Sequence, residues 1–384
     1  MTTQELLQKA KGAKTAMALA STETKNKALS AMADALERHQ AEILAANQLD
    51  LDAARGTISS VMLDRLALNP DRIAGMAKGI REVVELPDPA GAVLNRVERP
   101  SGIVVEKTAV PMGVIAIIFE ARPNVTVDAA ALCLKSGNVC ILRGGKEAIR
   151  SNRCVAELMR QALRSVGLPE DCISLVQDTS HETANELMHL DGYVDVLIPR
   201  GGAGLIRAVA KEASVPVIRT GEGVCHIYID DEADLDMGAR ILFNAKCSRP
   251  SVCNAIETIL VHQDVAEEAL PLIQARLDEK QVELRGCEKA QAILPGIPPA
   301  TEEDWATEYL DYILAVKVVA SLEEALEHIA RLGGAEHLLR GQHAAVPGQR
   351  APQHEVCGDV IIVTGPDHKG QARFPDAVFI VAQQ

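Results

Sequence analysis

Residues 114–145, VIAIIFEARPNVTVDAAALCLKSGNVCILRGG, decide the fold because they contain a strand, a helix and a second strand in succession. The run VIAIIF holds six apolar residues and no charge, which predicts a strand buried on both faces. ARPNVT is interpreted as the turn that leaves it, VDAAALCLKSG as a helix closed by Gly137, and NVCILRGG as the next strand. Because a helix separates the two strands, they are expected to lie parallel in one sheet.

The same alternation continues to about residue 221, and a run of helices precedes it at 3–55, where apolar residues recur every three or four positions. The further predicted elements are helices at 151–167, 180–190 and 203–213 and strands at 172–177, 194–202 and 215–221. A second unit begins near residue 230, with a helix that approaches Cys253 and a strand, AIETILVH, that leaves it. The pattern therefore predicts an α/β protein with parallel sheets and more than one domain.

Composition narrows the class of function. The chain has 384 residues, a net charge of −14 and only four Phe, four Tyr and one Trp. An acidic chain with few aromatic residues is a poor nucleic-acid binder, so no nucleic-acid partner is expected. The N-terminus lacks a signal-peptide pattern, and the longest apolar run is about half of what spans a bilayer. We therefore expect a cytoplasmic protein without a membrane partner.

Nine cysteines are scattered through the chain without a CxxC pair or zinc-type spacing, which predicts reduced thiols and no metal site. One of them, Cys253, lies in RPSVCNA (249–255), after an Arg-Pro entry and before small polar residues. Free cysteine is commonly a small buried side chain, so this stretch alone leaves open whether Cys253 is a nucleophile.

Two glycine-rich turns each lie between a predicted strand and a predicted helix: LRGGKEA (142–148) and PRGGAGLI (199–206). Backbone N–H groups at such turns can bind a phosphate at the start of the following helix. Glycine pairs also occur at strand ends in any α/β protein, so each turn alone is ambiguous. Both turns carry an arginine, which favours an anionic ligand.

Four stretches together resemble the gamma-glutamyl phosphate reductases, also called glutamate-5-semialdehyde dehydrogenases, a family of the aldehyde dehydrogenase superfamily. They are residues 110–148, RGGAGLI (200–206), VIRTGEGVCHIYID (217–230) and NAKCSRPSVCNAIETILVH (244–262). The resemblance extends from the first helix to about residue 330. It implies two Rossmann-like domains with parallel sheets and a small β oligomerisation hairpin at about 97–111. The expected domains are 1–233 for NADP binding, 234–332 for catalysis, and an atypical segment at 333–384.

The resemblance also implies roles for individual residues. Cys253 corresponds to the superfamily's nucleophile, and Asn124 to the amide that stabilises the oxyanion. Glu308 corresponds to the glutamate that holds the nicotinamide ribose, whereas the composition alone favours a solvated helix carboxylate. Arg249 is expected to bind the substrate and to favour a thiolate. For the cofactor we expect contacts from two cations and two glycines: Arg143, Lys146, Gly201 and Gly202. His226 is as compatible with a core position as with a substrate contact.

The implied reaction is the NADPH-dependent reduction of L-glutamyl 5-phosphate to L-glutamate 5-semialdehyde and phosphate, through a thioester on the cysteine, in proline biosynthesis. Aldehyde dehydrogenases that release free acids carry a glutamate that activates water, and the corresponding stretch here, VIRTGEG (217–223), lacks a glutamate at that place. An enzyme that exchanges its acyl group with phosphate has no use for activated water. A hydrolytic aldehyde dehydrogenase is therefore the less favoured alternative.

From about residue 333 the resemblance ends, and the family's usual closing motifs are not found. We expect this segment to be the least well packed part of the chain, with DVIIVTG and AVFIVA its only strand-forming stretches and one of them able to pair with a sheet edge. Because the family closes its substrate pocket with this region, an inactive chain that acts only by binding remains an alternative. The implied partners are a small-molecule substrate, further copies of the chain and, by family resemblance, glutamate 5-kinase.

Overall fold

The computed structural model describes residues 2–218, 223–332 and 360–363. The chain divides into two compact units, with the boundary between Thr220 and Gly221. The sequence placed this boundary after residue 233, beyond the strand Cys225–Ile229. That strand, Cys225–Ile229, pairs with Ile256–His262 in the sheet of the second unit. The division into an NADP-binding and a catalytic domain stays a prediction.

The first unit begins with five helices, as expected for its N-terminal part. They are α1 (Thr3–Ala18), α2 (Thr22–Arg38), α3 (Gln40–Ala54), α4 (Ser60–Leu66) and α5 (Pro70–Glu85). Helix α1 starts at a capping box, in which Thr2 accepts from the Glu5 amide and Glu5 accepts from the Thr2 amide. No helix within the described ranges is both long and apolar enough to cross a membrane.

A four-stranded parallel sheet, in the order β5-β4-β3-β6, forms the core of this unit. Its elements are β3 (Val114–Phe119), α6 (Pro123–Lys135), β4 (Val139–Arg143), α7 (Ile149–Ser165), β5 (Ile173–Leu175), α8 (His181–His189), β6 (Val196–Arg200) and α9 (Ala203–Glu212). All residues of β3 are buried, which confirms the prediction from its apolar run, and all residues of β4 are buried as well. Gly137 ends α6 at φ +78°, where a Cβ would meet the Pro111 side chain at 2.8 Å.

Two sequence-based assignments in this unit need correction. ARPNVT is not a turn throughout, because α6 begins within it at Pro123, whose fixed φ suits the first turn of a helix. The stretch predicted as a strand at 215–221 makes only an isolated bridge between Val217 and Leu197 within the described residues. Pro216 has no N–H to donate, which limits the ladder at this edge.

An exposed antiparallel hairpin, β1 (Val93–Glu98) with β2 (Val104–Thr108), precedes the sheet. Every residue of both strands is exposed, and apolar side chains are prominent among them: Val93, Leu94, Val97, Val104 and Val105. Two-stranded hairpins have little stability of their own, and unpaired strand edges readily accept another chain. The hairpin overlaps the range in which the sequence predicted an oligomerisation element.

The second unit contains a five-stranded parallel sheet, in the order β11-β7-β8-β10-β9. Its elements are β7 (Cys225–Ile229), α10 (Leu235–Cys247), β8 (Ile256–His262), α11 (Ala266–Leu277), β9 (Glu283–Gly286), α12 (Glu288–Ile293), β10 (Ile313–Val319), α13 (Leu322–Leu332) and β11 (Val360–Val363). Strand β11, within DVIIVTG, lies at the sheet edge beside β7, so one of the two stretches expected to form strands does pair with a sheet edge. The other expectations for 333–384 lie outside the described residues.

Helix α13 covers one face of this sheet over a buried group of rings. His226 on β7 and His328 on α13 are 1% and 3% exposed, and their ring centroids lie 5.7 Å apart. Trp305 makes an edge contact with His328, and Lys317 Nζ lies 3.1 Å from His328 Nδ1. Burial lowers the pKa of His226 to about 4, and burial together with the Lys317 charge lowers the pKa of His328 to about 3.

These histidines are expected to make the second unit less stable in acid. The unfolded chain takes up protons near pH 6.5, whereas the folded chain does so only near pH 4 and pH 3, so stability falls as pH drops below about 6.5. Each histidine should cost about 2 kcal/mol of unfolding free energy between pH 7 and pH 5. Urea titrations followed by the fluorescence of Trp305, the single tryptophan, measure this loss.

Replacing His328 by Gln should flatten that pH dependence, because no buried imidazole remains to be kept neutral at this position. Replacing the exposed His189 by Gln provides the matched control and should leave the slope unchanged. Equal slopes in the unmodified chain and in both variants would show that other groups cause the acid sensitivity.

Candidate active site

Cys253 lies in the loop between α10 and β8, and its side chain is partly exposed. Cys247, at the end of α10, is 6% exposed, and burial raises the pKa of its thiol. A substrate has to reach a nucleophile, and of these two thiols only that of Cys253 is partly exposed. Arg249, in the same loop, is exposed.

The two ends of this loop are joined by a buried ion pair. Lys246 on α10 and Glu257 on β8 are both fully buried, with 2.8 Å between Nζ and Oε2. Lys246 Nζ also donates to the carbonyl oxygen of Ile256 at 3.0 Å, and Glu257 Oε1 accepts from the Leu310 amide at 3.3 Å. Burial raises the pKa of Glu257 to about 7 and lowers the pKa of Lys246, and their mutual attraction opposes both shifts. The ion pair thereby holds together the two ends of the loop that contains Cys253.

Gly223 approaches the backbone of this loop closely. A Cβ at Gly223 would lie 2.6 Å from the carbonyl oxygen of Cys253, a distance that real Cβ atoms do not adopt. The Cys225 thiol lies 3.4 Å from the same oxygen. Gly223 could not be identified from the sequence, because a glycine before a strand has many ordinary explanations and nothing local shows what it faces.

Glu308 is partly exposed and lies in an irregular segment between a 3₁₀ turn (Asp304–Ala306) and β10, not on a helix. The neighbouring Asp304 holds this segment. Its carboxylate accepts from Arg285 and Tyr309 at 2.7 Å and from the Thr301 amide at 2.7 Å. Burial alone would raise the pKa of Asp304, but these hydrogen bonds hold it well below its usual range.

Asn124 lies in the first turn of α6, where β3 ends. Its amide Nδ2 donates to Asp128 Oδ2 at 3.1 Å, one helical turn further on. An amide nitrogen has two hydrogens, so this bond orients the group and leaves a second donor. The sequence alone suggested a turn residue, and only the helix that starts at Pro123 shows why Asp128 meets it.

The two cations of the first glycine-rich turn differ in their surroundings. Arg143, at the end of β4, is buried, and its Nη2 donates to the carbonyl oxygens of Thr179 and Ser180 at 2.7 and 2.8 Å. Burial lowers the pKa of Arg143, against the attraction of nearby Asp178. Lys146 is exposed. Arg143 therefore holds the loop before α8, whereas Lys146 is the exposed cation of this turn.

The second turn, Gly201-Gly202, lies between β6 and α9. The Gly202 amide, at the start of α9, donates to Glu120 Oε2 at 3.0 Å, and a Cβ at Gly201 would meet the Glu120 carboxyl carbon at 2.7 Å. An exposed carboxylate thus lies where a helix start favours an anion. These features fit a phosphate group of a dinucleotide, which would take the place of the Glu120 carboxylate.

The predicted residues fall into two sets. Asn124, Lys146 and Gly202 follow three adjacent parallel strands, β3, β4 and β6, so they share the carboxyl edge of the first sheet, where ligands of such sheets bind. Cys253 and Glu308 belong to the second unit. Within the described residues there is no cluster of His, Cys, Asp or Glu suited to a metal ion.

Comparison with known proteins connects this arrangement to a family. A sequence model of the aldehyde dehydrogenase family matches residues 1–301. A gamma-glutamyl phosphate reductase of Carboxydothermus hydrogenoformans is 54% identical over 329 residues, 85% of this chain and 79% of the relative. One of Heliobacterium modesticaldum is 55% identical, over 84% of this chain and 78% of the relative. The crystal structure of the Thermotoga maritima gamma-glutamyl phosphate reductase is 43% identical, with a TM-score of 0.78 over 86% of this chain and 80% of that one.

Proposed function

The chain belongs to the aldehyde dehydrogenase family, among the gamma-glutamyl phosphate reductases, and we propose that it reduces L-glutamyl 5-phosphate to L-glutamate 5-semialdehyde and phosphate. This reaction belongs to proline biosynthesis. The observation that carries the proposal is the partly exposed Cys253 in a loop whose two ends are fixed by a buried ion pair, in a chain 54% identical to a reductase of that name. Fixing both ends of a loop positions a nucleophile without the cost of ordering it during the reaction.

In the proposed mechanism the Cys253 thiolate attacks the acyl carbon, and the C–O bond to phosphate breaks with departure of inorganic phosphate. Asn124 donates its second amide hydrogen to the oxyanion, an interaction of the kind that contributes several kcal/mol. The thioester on Cys253 would be reduced by the hydride that NADPH, when bound, would supply. Arg249 provides positive charge beside the thiolate and for the phosphate, and Glu308 holds the ribose of the nicotinamide. When the hemithioacetal collapses, the thiolate leaves and the semialdehyde is released.

The test uses the full chain in the reverse direction, with glutamate 5-semialdehyde, inorganic phosphate and NADP. We expect formation of NADPH only when phosphate is present, because phosphate resolves the thioester. Formation of NADPH without phosphate would favour the hydrolytic aldehyde dehydrogenase instead. An absence of turnover, together with retained cofactor binding measured by calorimetry, would favour an inactive chain of the same fold that acts by binding.

We propose NADP as the cofactor, and Lys146 as the side chain that selects it. Lys146 is the exposed cation of the first glycine-rich turn and can pair with the 2′-phosphate, whereas the Nη2 group of Arg143 is already engaged. Replacing Lys146 by Glu should raise the KM for NADPH relative to that for NADH by about tenfold or more, the effect of losing one charge-assisted contact. Steady-state kinetics with both cofactors measures the ratio.

The matched control for that variant replaces Lys78 by Glu, which makes the same charge change at an exposed position on α5. It should leave the KM ratio within about twofold. If both variants shift the ratio equally, the effect comes from net charge rather than from a contact. If the unmodified chain uses NADPH and NADH equally, the proposed role of Lys146 is wrong.

Further proposals concern assembly and location. The exposed apolar strands β1 and β2 support a homo-oligomer formed through this hairpin, because an apolar surface with free strand edges is stabilised by a second copy. Light scattering should give a mass above that of one chain, and Val105→Lys should lower it. The proposed biosynthetic role is consistent with the cytoplasm and with association with glutamate 5-kinase, which copurification from cell extract tests.

A further inference from the structure

Three side chains form a line along the outer face of α6. Asn124, Asp128 and Leu132 are four residues apart, so they lie above one another on successive turns. Asp128 is exposed and Leu132 is 54% exposed, while most other residues of α6 are buried. Asn124, whose amide is proposed to donate to the oxyanion, lies at the N-terminal end of this line. Asp128 and Leu132 follow it toward the C-terminal end of the helix.

A negatively charged Asp128 without a positively charged partner would disfavour the proposed reaction. Its Oδ2 accepts the Asn124 amide at 3.1 Å, the same group that would donate to a developing oxyanion. Two negative charges held by one amide repel each other, and a phosphorylated substrate brings more negative charge. Within the described residues no lysine or arginine forms an ion pair with Asp128. Desolvation by the surrounding atoms raises the pKa of its carboxyl, against the hydrogen bond from Asn124 and the more distant charge of Arg200 at the end of β6. A positive group at this place would remove the conflict.

We propose that Asp128 binds the α-ammonium group of the amino-acid substrate and selects substrates that carry one; this rests on the proposed function. In glutamyl phosphate four single bonds of about 1.5 Å separate the acyl carbon from the α-nitrogen, a span of about 5 Å when extended. The Asn124 amide nitrogen and the Asp128 carboxylate oxygen lie 3.1 Å apart, so two groups that each bind the outer side of one of them can be about 5 Å from each other. A substrate whose oxyanion contacts Asn124 can therefore place its ammonium group beside the Asp128 carboxylate. The pairing neutralises the carboxylate and leaves its hydrogen bond to Asn124 in place.

Replacing Asp128 by Asn distinguishes binding of the substrate ammonium group from mere orientation of the Asn124 amide. The variant keeps an oxygen that can accept the Asn124 amide and removes only the negative charge. Two substrates are compared in the phosphate-dependent oxidation: glutamate 5-semialdehyde and 5-oxopentanoate, which has the same chain without the amino group. In the variant the KM for glutamate 5-semialdehyde should rise about thirtyfold, the loss of one hydrogen bond between charged groups. The KM for 5-oxopentanoate should change by less than about threefold.

A binding measurement tests the subsite without turnover. Calorimetry with the unreactive analogues L-glutamate and glutarate should show preference for glutamate in the unmodified chain and loss of that preference in Asp128→Asn. Asp71→Asn, which removes an exposed carboxylate at the start of α5, is the matched control and should retain the preference.

The outcomes distinguish this inference from the proposed function. Equal losses with both substrates would show that Asp128 only positions Asn124, and an unchanged KM for glutamate 5-semialdehyde would show that its charge is not used; either result overturns the inference. If the unmodified chain does not oxidise the semialdehyde, the proposed function fails. In that case the calorimetric comparison of L-glutamate with glutarate tests the Asp128 site alone. Tighter binding of glutamate that is lost in Asp128→Asn supports the site, and equal binding of both analogues overturns it.

Discussion

Replacing Cys253 by Ser is expected to lower turnover by at least about 10⁴-fold, the loss typical for removal of a catalytic nucleophile. A serine hydroxyl is a far weaker nucleophile than a thiolate and has no base assigned to activate it in this chain. Binding of NADPH should remain close to that of the unmodified chain, because the proposed cofactor contacts do not include the thiol. Steady-state assay and calorimetric titration with NADPH measure the two properties separately.

Cys247→Ser is the matched control for the Cys253 variant. It makes the same chemical change six positions earlier, at a side chain that is 6% exposed and has a raised thiol pKa. This variant should retain activity, with at most a modest loss of stability from the buried hydroxyl. Full activity in Cys253→Ser would remove this residue from the mechanism. An equal loss in Cys247→Ser, with the same circular dichroism spectrum, would do the same.

Replacing Glu257 by Leu is expected to lower the free energy of unfolding by about 3–5 kcal/mol, because it leaves the charge of Lys246 buried without its partner. The double replacement Lys246→Met and Glu257→Leu should recover most of that loss, since apolar side chains of similar size can fill the same space. Urea unfolding followed by the fluorescence of Trp305 reports on the unit that contains the pair.

The exposed pair Arg276–Glu279 in the same unit is the control. Glu279→Leu removes the same type of carboxylate, and its effect should stay below about 1 kcal/mol because water replaces the lost contact. If Glu257→Leu costs no more than this control, the buried pair is not what fixes the Cys253 loop. If the double variant is less stable than Glu257→Leu, the pair stabilises by direct attraction rather than by neutralising a buried charge.

Much of the fold could be predicted from local pattern. The strand VIAIIF contains only apolar residues, and β3 is indeed buried along its whole length. The alternation of strands with helices predicted parallel pairing, and the four-stranded and five-stranded sheets are both parallel. The prediction was less accurate where one residue changes the local geometry: Pro123 starts α6 earlier than expected, and Pro216 leaves 215–218 with a single bridge. Periodicity describes average environments and does not include these effects.

The sequence by itself determined the parallel α/β class and, through its resemblance to the reductases, pointed to Cys253 and Asn124. The tertiary structure decided what surrounds the candidate residues. Arg143 and Lys146 are equivalent cations in the sequence, but only Lys146 is exposed, because carbonyl oxygens of Thr179 and Ser180 hold Arg143. The close approach of Gly223 to Cys253 depends likewise on segments that are far apart along the chain. Local sequence sets which helices and strands form, whereas burial, charge pairing and close approach depend on which of them meet when the core excludes water.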